Sequence, residues 1–276
     1  MKRPPPTYTL FPHTTLFRSY YADRIVELPL GVFAIAVGTA TLPSFSDQVA
    51  LGRIDELKRT IAFSLRLILF ITIPATVALI VLRVPIISVL FQRGEFSAQA
   101  TTLTAQALLC YTVGLWAFSV IRIIVSAFYS LQDTRSPMKA AIVALVVNAV
   151  FSVALMFPLK HGGIALATSI ASAVNVGMLW AILKRRIGTI LDSEFYLSLG
   201  KTLLASLVMW GVILAIGSFY PWRTSGPFDA KLIYLVLCVV GGAFAFFATA
   251  FLVKSPEIAT TIKSVRRRIT PKRDGG

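Results

Sequence analysis

The 276-residue chain is 56% hydrophobic and only 14% charged, about half to two-thirds of the charge carried by a soluble globular domain. Together with a mean hydropathy of +0.77, this excludes an ordinary water-soluble fold and predicts an all-α, polytopic membrane protein. In a soluble protein a formal net charge of +15 would suggest nucleic-acid binding; here the bases lie between and after apolar runs, the pattern of cytoplasmic loops and a basic tail on anionic membrane lipids, so no nucleic-acid partner is expected.

From the N-terminus, residues 1–19 (MKRPPPTYTLFPHTTLFRS) are Pro- and Thr-rich, with apolar residues too few and broken for a secretory segment. A non-native leader is the favoured reading, and a disordered cytoplasmic leader the alternative. The expected organisation is a leader over 1–19, a transmembrane lobe over 20–253 and a basic cytoplasmic tail over 254–276. Seven stretches are long enough to cross a bilayer as helices of about 20 residues: Tyr20 to Phe45, Ile61 to Leu82, Thr101 to Tyr129, Met138 to Phe157, Gly163 to Leu183, Leu197 to Phe219 and Leu232 to Val253.

Alternate loops hold sixteen Lys and Arg against five on the other side, which predicts a cytoplasmic C-terminus. Between the first two spans, Ser46 to Thr60 carries Val49, Leu51, Ile54 and Leu57 at helical spacing and predicts an amphipathic helix at the interface. Val84 to Phe91 is too short to span and predicts a separate interfacial turn of helix ending at Gly94. In the turn around Gln132, Asp133 or Ser136 can cap the helix that Pro137 helps to start.

Ionisable residues inside spans each cost about 2.5 to 3.5 kcal/mol at a helix centre and so face a partner or a wet cavity. Asp23, Arg24 and Glu27 in YYADRIVELP fall within about 100° of one helical face. They predict either a self-neutralising patch, with Arg24 and Glu27 paired one turn apart, or a hydrated face on which Arg24 grips an anion. Pro29, Gly31 and Gly38 then predict a kinked helix. Arg66 and Arg122 are expected to snorkel to the headgroups or to face the cavity.

Asn148 and Asn175 predict interhelical hydrogen bonds, and Ala165, Ser169 and Ala173 a smooth strip for close packing. Cys110 and Cys238 lie in apolar runs and suit small buried residues. His13 and His161 stand in the leader and a short turn, too isolated for a metal pair or a catalytic triad. No phosphate loop or HExxH sequence is present. No metal or cofactor is expected, and a transporter is favoured over an enzyme.

The run YYADRIVELPLGVFAIAVGTATLPSFS, then FQRGEF, AFYSLQDTRSPMKAA and PLKHGGIALATS, closely resembles the C-terminal half of the MurJ (MviN) lipid II flippases. These belong to the multidrug/oligosaccharidyl-lipid/polysaccharide exporter superfamily. The resemblance implies a fourteen-helix, two-lobe transporter of the bacterial cytoplasmic membrane, of which this chain supplies the last seven helices and lacks the N-terminal lobe. It implies lipid II, the lipid-linked peptidoglycan precursor, as substrate, and a groove beside the last two helices for the polyprenyl tail. Arg24 matches the family's cavity arginine, with Glu27 beside it as a polar cavity residue, and Arg122 stands where relatives often have Lys. Export of another lipid-linked polysaccharide, or a membrane-embedded glycan transferase using Asp23 or Glu27, are the alternatives.

Overall fold

The computed structural model describes residues 13–92, 98–159, 161–220, 222 and 226–257. The expected turn end at Gly94, most of the expected leader and the tail beyond Glu257 lie outside them. The described residues are helical throughout, with short turns and no strand. The helices are α1 (His13–Pro29), α2 (Ile35–Ala50), α3 (Ile54–Phe91), α4 (Ala98–Val113), α5 (Leu115–Ser130), α6 (Arg135–Leu159), α7 (His161–Ile187), α8 (Ser193–Phe219) and α9 (Phe228–Leu252). Six stretches among them are long and apolar enough to cross a membrane: Ile54–Phe91, Ala98–Ser130, Arg135–Leu159, Gly162–Ile187, Ser193–Phe219 and Phe228–Leu252.

The expected first span is instead carried by a broken rod. Pro29 ends α1, a π-helical turn covers Leu30–Ala34, and the N–H of Ile35 bonds the carbonyl of Leu30. Proline supplies no N–H and breaks the ladder, so the kink expected there takes the form of one widened turn. Neither α1, at 17 residues, nor α2, at 16, is a full span by itself.

Two expectations about the ends of the second span are corrected. Ser46 to Thr60 is not one amphipathic helix: α2 ends at Ala50, Gly52 takes φ +68°, and α3 starts at Ile54. Gly52 adopts the left-handed conformation that glycine reaches without strain, and Gln48 Nε2 donates to Thr60 Oγ1 across the corner at 2.8 Å. Val84 to Phe91 is not a separate turn either but the end of the 38-residue α3. At 1.5 Å per residue α3 is about 57 Å long, nearly twice a hydrocarbon core of about 30 Å. α3 therefore carries Ile54 to Thr60 at one end and Val84 to Phe91 at the other, while Ser46 to Ala50 belongs to α2.

α3 is the central mast, packed by α2, α4, α5, α8 and α9; α1 lies on α4, α7 on α4 and α5, and α6 chiefly on α7. Lipid supplies no hydrophobic drive between helices, so close backbone approach and interhelical hydrogen bonds hold such a bundle. Ser169 goes beyond the smooth strip expected of it. At the α4/α5 break the N–H of Gly114 bonds the Tyr111 carbonyl, one residue short of the helical partner, which frees the carbonyl of Cys110. Ser169 Oγ of α7 donates to that carbonyl at 2.7 Å.

A Cβ on Gly114 would sit 2.6 Å from Ser169 Oγ and 2.8 Å from its Cα. Gly114→Ala is therefore expected to destabilise by about 1 to 3 kcal/mol, with Ser169→Gly added to it recovering part of the loss in thermal melts. Ser169→Ala alone leaves the Cys110 carbonyl bare and lowers stability by about 1 to 3 kcal/mol.

The two amides do not make the expected interhelical bonds among the described residues: Asn148 Oδ1 accepts from Ser152 within α6, and Asn175 Oδ1 is buried without a partner. Cys110 is half-buried and Cys238 fully buried, both as free thiols. At the far end of the chain the buried Glu257 carboxylate accepts from Ser198 Oγ of α8 at 2.5 Å and from Ser255 Oγ at 2.6 Å. Lys201 Nζ donates to the Lys254 carbonyl at 3.0 Å.

Asp133 caps α6, as its position suggested. Its carboxylate accepts from the N–H groups of Arg135 and Ser136 and from Ser136 Oγ, and it pairs with Arg186 at the end of α7. The hydrogen bonds from Ser136, foremost its N–H, hold the Asp133 carboxyl below the usual carboxylate range. A depressed folded-state pKa gives stability that is complete above the unfolded value of about 3.9 and is lost as pH falls through the folded value. Asp133→Asn is expected to flatten the acid limb of the melting temperature below about pH 4, where wild type declines; Asp133→Ala costs about 1 kcal/mol at neutral pH.

Candidate functional site

The sequence of α1 divides it into two faces. Ala22, Ile25 and Val26 recur at helical spacing and are buried, packed in one cluster with Ala105, Leu108, Tyr111 and Leu115. That packing turns Arg24 and Glu27 away from the bundle and leaves Asp23, half-buried, at the boundary between the faces. Arg24 Nη1 donates to Glu27 Oε2 at 2.7 Å, and the two side chains are 57% and 51% exposed. The guanidinium carbon lies 4.8 Å from the centre of the Tyr20 ring, so the cation is held between a carboxylate and an aromatic face.

Beside this face runs an open cleft of ≈ 530 Å³. One wall is Asp23, Val26, Glu27, Leu30, Gly31 and Ile35; the other is Phe118, Ile121 and Arg122 of α5 with Thr168 of α7. A second cleft of ≈ 280 Å³ shares Ile35, Ile121 and Arg122 and continues past Gly38, Thr39, Ser126 and Tyr129. Arg122 thus sits where the two meet, with no carboxylate paired to it among the described residues. The structure brings Asp23, Glu27 and Arg122 to one cleft, with Arg24 tied to Glu27 at its rim.

Arg66 is elsewhere. Its side chain is 14% exposed and pairs with Glu194 at the start of α8 at 3.2 Å, while its Nε is buried without a partner. It does not line the α1–α5 clefts. Thr168, Thr39, Ser126 and Tyr129 escaped sequence reasoning because each is an ordinary residue of its span. Tyr20 carried a usable signal, since it precedes Arg24 by four residues and so shares its helical face.

The arrangement offers two cations and two carboxylates around an open volume. The guanidinium of Arg24, already oriented, can exchange Glu27 for an anionic ligand bidentately. No group of three His, Cys, Asp or Glu able to hold a metal ion occurs among the described residues.

The family model described as "Lipid II flippase MurJ" matches residues 10–233, starting ten residues before the Tyr20 boundary expected from the sequence. A probable lipid II flippase MurJ of Rhizobium tropici is 35% identical over 250 residues, covering 90% of this chain and 47% of the relative. One from Rickettsia prowazekii is 32% identical over 235 residues, covering 85% and 46%. A solved structure, lipid II flippase MurJ in an inward closed conformation, superposes with a TM-score of 0.72 at 26% identity, covering 86% of this chain and 47% of that one. The chain spans about half the length of the relatives it matches. The broken first rod, the rare charges of YYADR and the helical bundle around them have one common explanation: the chain belongs to the lipid II flippase MurJ family.

Proposed function

We propose that this chain forms one lobe of a transporter that moves a lipid-linked peptidoglycan precursor across the bacterial cytoplasmic membrane. The observation that carries the reading is Arg24, a cation on the outward face of α1 at the rim of a cleft that also holds Arg122. In this reading α1, the π-helical turn and α2 make a seventh span, a second seven-helix lobe closes the open side of the cleft, and the C-terminus is cytoplasmic.

The diphosphate of the substrate displaces Glu27 from Arg24 and is held in the low-dielectric cleft by charge-assisted bonds, with Asp23, Glu27 and Arg122 setting the local charge balance. The polyprenyl tail stays in lipid. Bending at the π-helical turn opens the cleft to one side and then the other. No covalent step is needed. A glycan transferase would use Asp23 or Glu27 as its base; Glu27 is engaged by Arg24 at rest, so that reading falls chiefly on Asp23, and the product assay below separates the two.

The test uses the longer protein of which this chain would be the second half, reconstituted in sealed vesicles with a fluorescent lipid-linked peptidoglycan precursor. Loss of protection from an external quencher, with no new glycan product, is the expected result. Product formation in detergent would favour the transferase, and equal movement of a lipid-linked O-antigen unit would favour a broader polysaccharide exporter.

A further inference from the structure

Tyr20 and Glu27 flank Arg24 along one face of α1, the ring four residues before the cation and the carboxylate three residues after it. These are the spacings at which side chains of a helix meet. Their roles part once a substrate arrives. In the reading above, the diphosphate takes the place of Glu27, so that carboxylate orients the guanidinium only while the cleft is empty. A ring behaves differently. It attracts the cation through its π face and leaves the in-plane N–H fork to an anion.

Tyr20 is exposed, and an exposed tyrosine ordinarily turns freely. This one is braced. Its ring stands edge-on to that of Tyr21, with centroids 6.1 Å apart and planes at 69°, and Tyr21 is tilted against Phe91 at the end of α3 at 4.6 Å. Both separations fall in the range of about 4.5 to 7 Å at which aromatic pairs attract. Phe91 packs in turn on the cluster that buries the inner face of α1. An aromatic relay thus runs from the end of α3 to a ring whose centre lies 4.8 Å from the Arg24 guanidinium carbon, through three residues outside the lining of either cleft.

We infer that Tyr20 is a positioning residue for substrate binding: braced by Tyr21 and Phe91, its ring holds the Arg24 guanidinium at the rim of the cleft after the substrate has displaced Glu27. On the reading of Arg24 as the diphosphate ligand, on which this rests, Tyr20 itself touches no substrate. Without the ring, the long arginine side chain would give up its rotamer freedom at the moment of binding. The loss falls on affinity and not on the bending at the π-helical turn.

The longer protein is reconstituted in sealed vesicles, and transport of the fluorescent precursor is followed over a range of precursor concentrations, beside a helical melt of each variant. Tyr20→Leu is expected to raise KM about three- to thirtyfold, with kcat and the melt near wild type because the exposed ring gives up little packing. Tyr20→Phe, which keeps the π face, keeps the wild-type KM. An unchanged KM in Tyr20→Leu, or a loss confined to kcat, overturns the positioning role. An equal rise in Tyr20→Phe assigns the hold to the hydroxyl and overturns the ring. If Tyr20→Leu fails to fold, Tyr20→Trp decides: an indole face attracts cations most strongly, so KM must hold or fall, and a rise overturns the proposal. Arg24→Ala separates this inference from the reading beneath it. Full transport by Arg24→Ala removes that reading, whereas lost transport by Arg24→Ala beside wild-type kinetics in Tyr20→Leu removes only the role of Tyr20.

Discussion

Arg24→Ala in the full-length protein is expected to abolish rescue of a flippase-depleted strain, with Arg24→Lys restoring only a small part. The guanidinium offers a planar fork to a diphosphate, and each hydrogen bond to a charged group is worth about 1.5 to 3 kcal/mol. Loss of two such bonds lowers transport about a hundredfold or more. Alanine also strips Glu27 of its partner at 2.7 Å and leaves Asp23 and Glu27 facing the cleft with Arg122 alone, so the residual charge repels the substrate. Lysine restores the charge as a single point without the fork.

Arg24→Ala combined with Glu27→Gln separates the two effects. Were the defect only an orphaned carboxylate, the double variant would regain rescue at equal membrane levels; substrate binding by Arg24 requires that it stay inactive. Recovery in the double variant would remove Arg24 from the binding role.

Gly163→Ala is expected to be the most damaging conservative change to the fold. α6 and α7 form a hairpin, and a Cβ on Gly163 would lie 2.5 Å from the Leu155 carbonyl carbon and 3.0 Å from the Met156 nitrogen. Both are backbone, so no side chain can rotate aside and the helices must separate. Overpacking of this kind costs about 1 to 3 kcal/mol and more where backbone has to move. Among the described residues α6 packs chiefly on α7, and its outward face, with Met138, Leu145, Val153 and Phe157, is exposed. A helical melt in detergent should show a large drop for Gly163→Ala. Gly177→Ala is the control: its Cβ meets nothing within 4 Å, and alanine's helix preference should raise stability by about 0.5 to 1 kcal/mol. Equal melts for the two variants would refute the close-approach argument.

Hydropathy made most of the spans legible, because a bilayer demands apolar length whatever the neighbours are. It could not show where a rod breaks or continues. Pro74 and Pro85 stand inside α3 without ending it, since neighbouring groups in a membrane bundle re-satisfy the freed backbone. Gly114 ends α4 only because Ser169, 55 residues later in sequence, covers the carbonyl that the break exposes. The separate helices expected at Ser46 to Thr60 and Val84 to Phe91 failed for the same reason: polarity pattern does not fix the continuity of the backbone.

The site was legible to the extent that it is local. Asp23, Arg24 and Glu27 stand out as charges where charge is expensive, and their spacing alone gives the Arg24–Glu27 pair. The opposite wall is non-local, and nothing near Thr168 in sequence indicates that it shares a cleft with α1, nor near Ser126 that it bonds Gly38 of α2. Arg66 shows the limit most plainly. Its partner Glu194 is 128 residues away, so the sequence left only snorkelling or a cavity-facing role to expect.

The buried knot around Glu257 bears on the order in which the molecule is made. Ser198 and Glu257 are separated by 59 residues, with most of α8 and all of α9 between them. A ribosome therefore releases Glu257 only after both helices have been synthesised, and although Ser255 is a near neighbour, the carboxylate can reach the Ser198 hydroxyl only once α9 has returned beside the start of α8. The contact to Ser198 is therefore among the last to form as the chain is completed. Until the hairpin closes, the carboxylate stays hydrated; its burial in the finished fold becomes affordable only when the Ser198 hydroxyl is there to bond it.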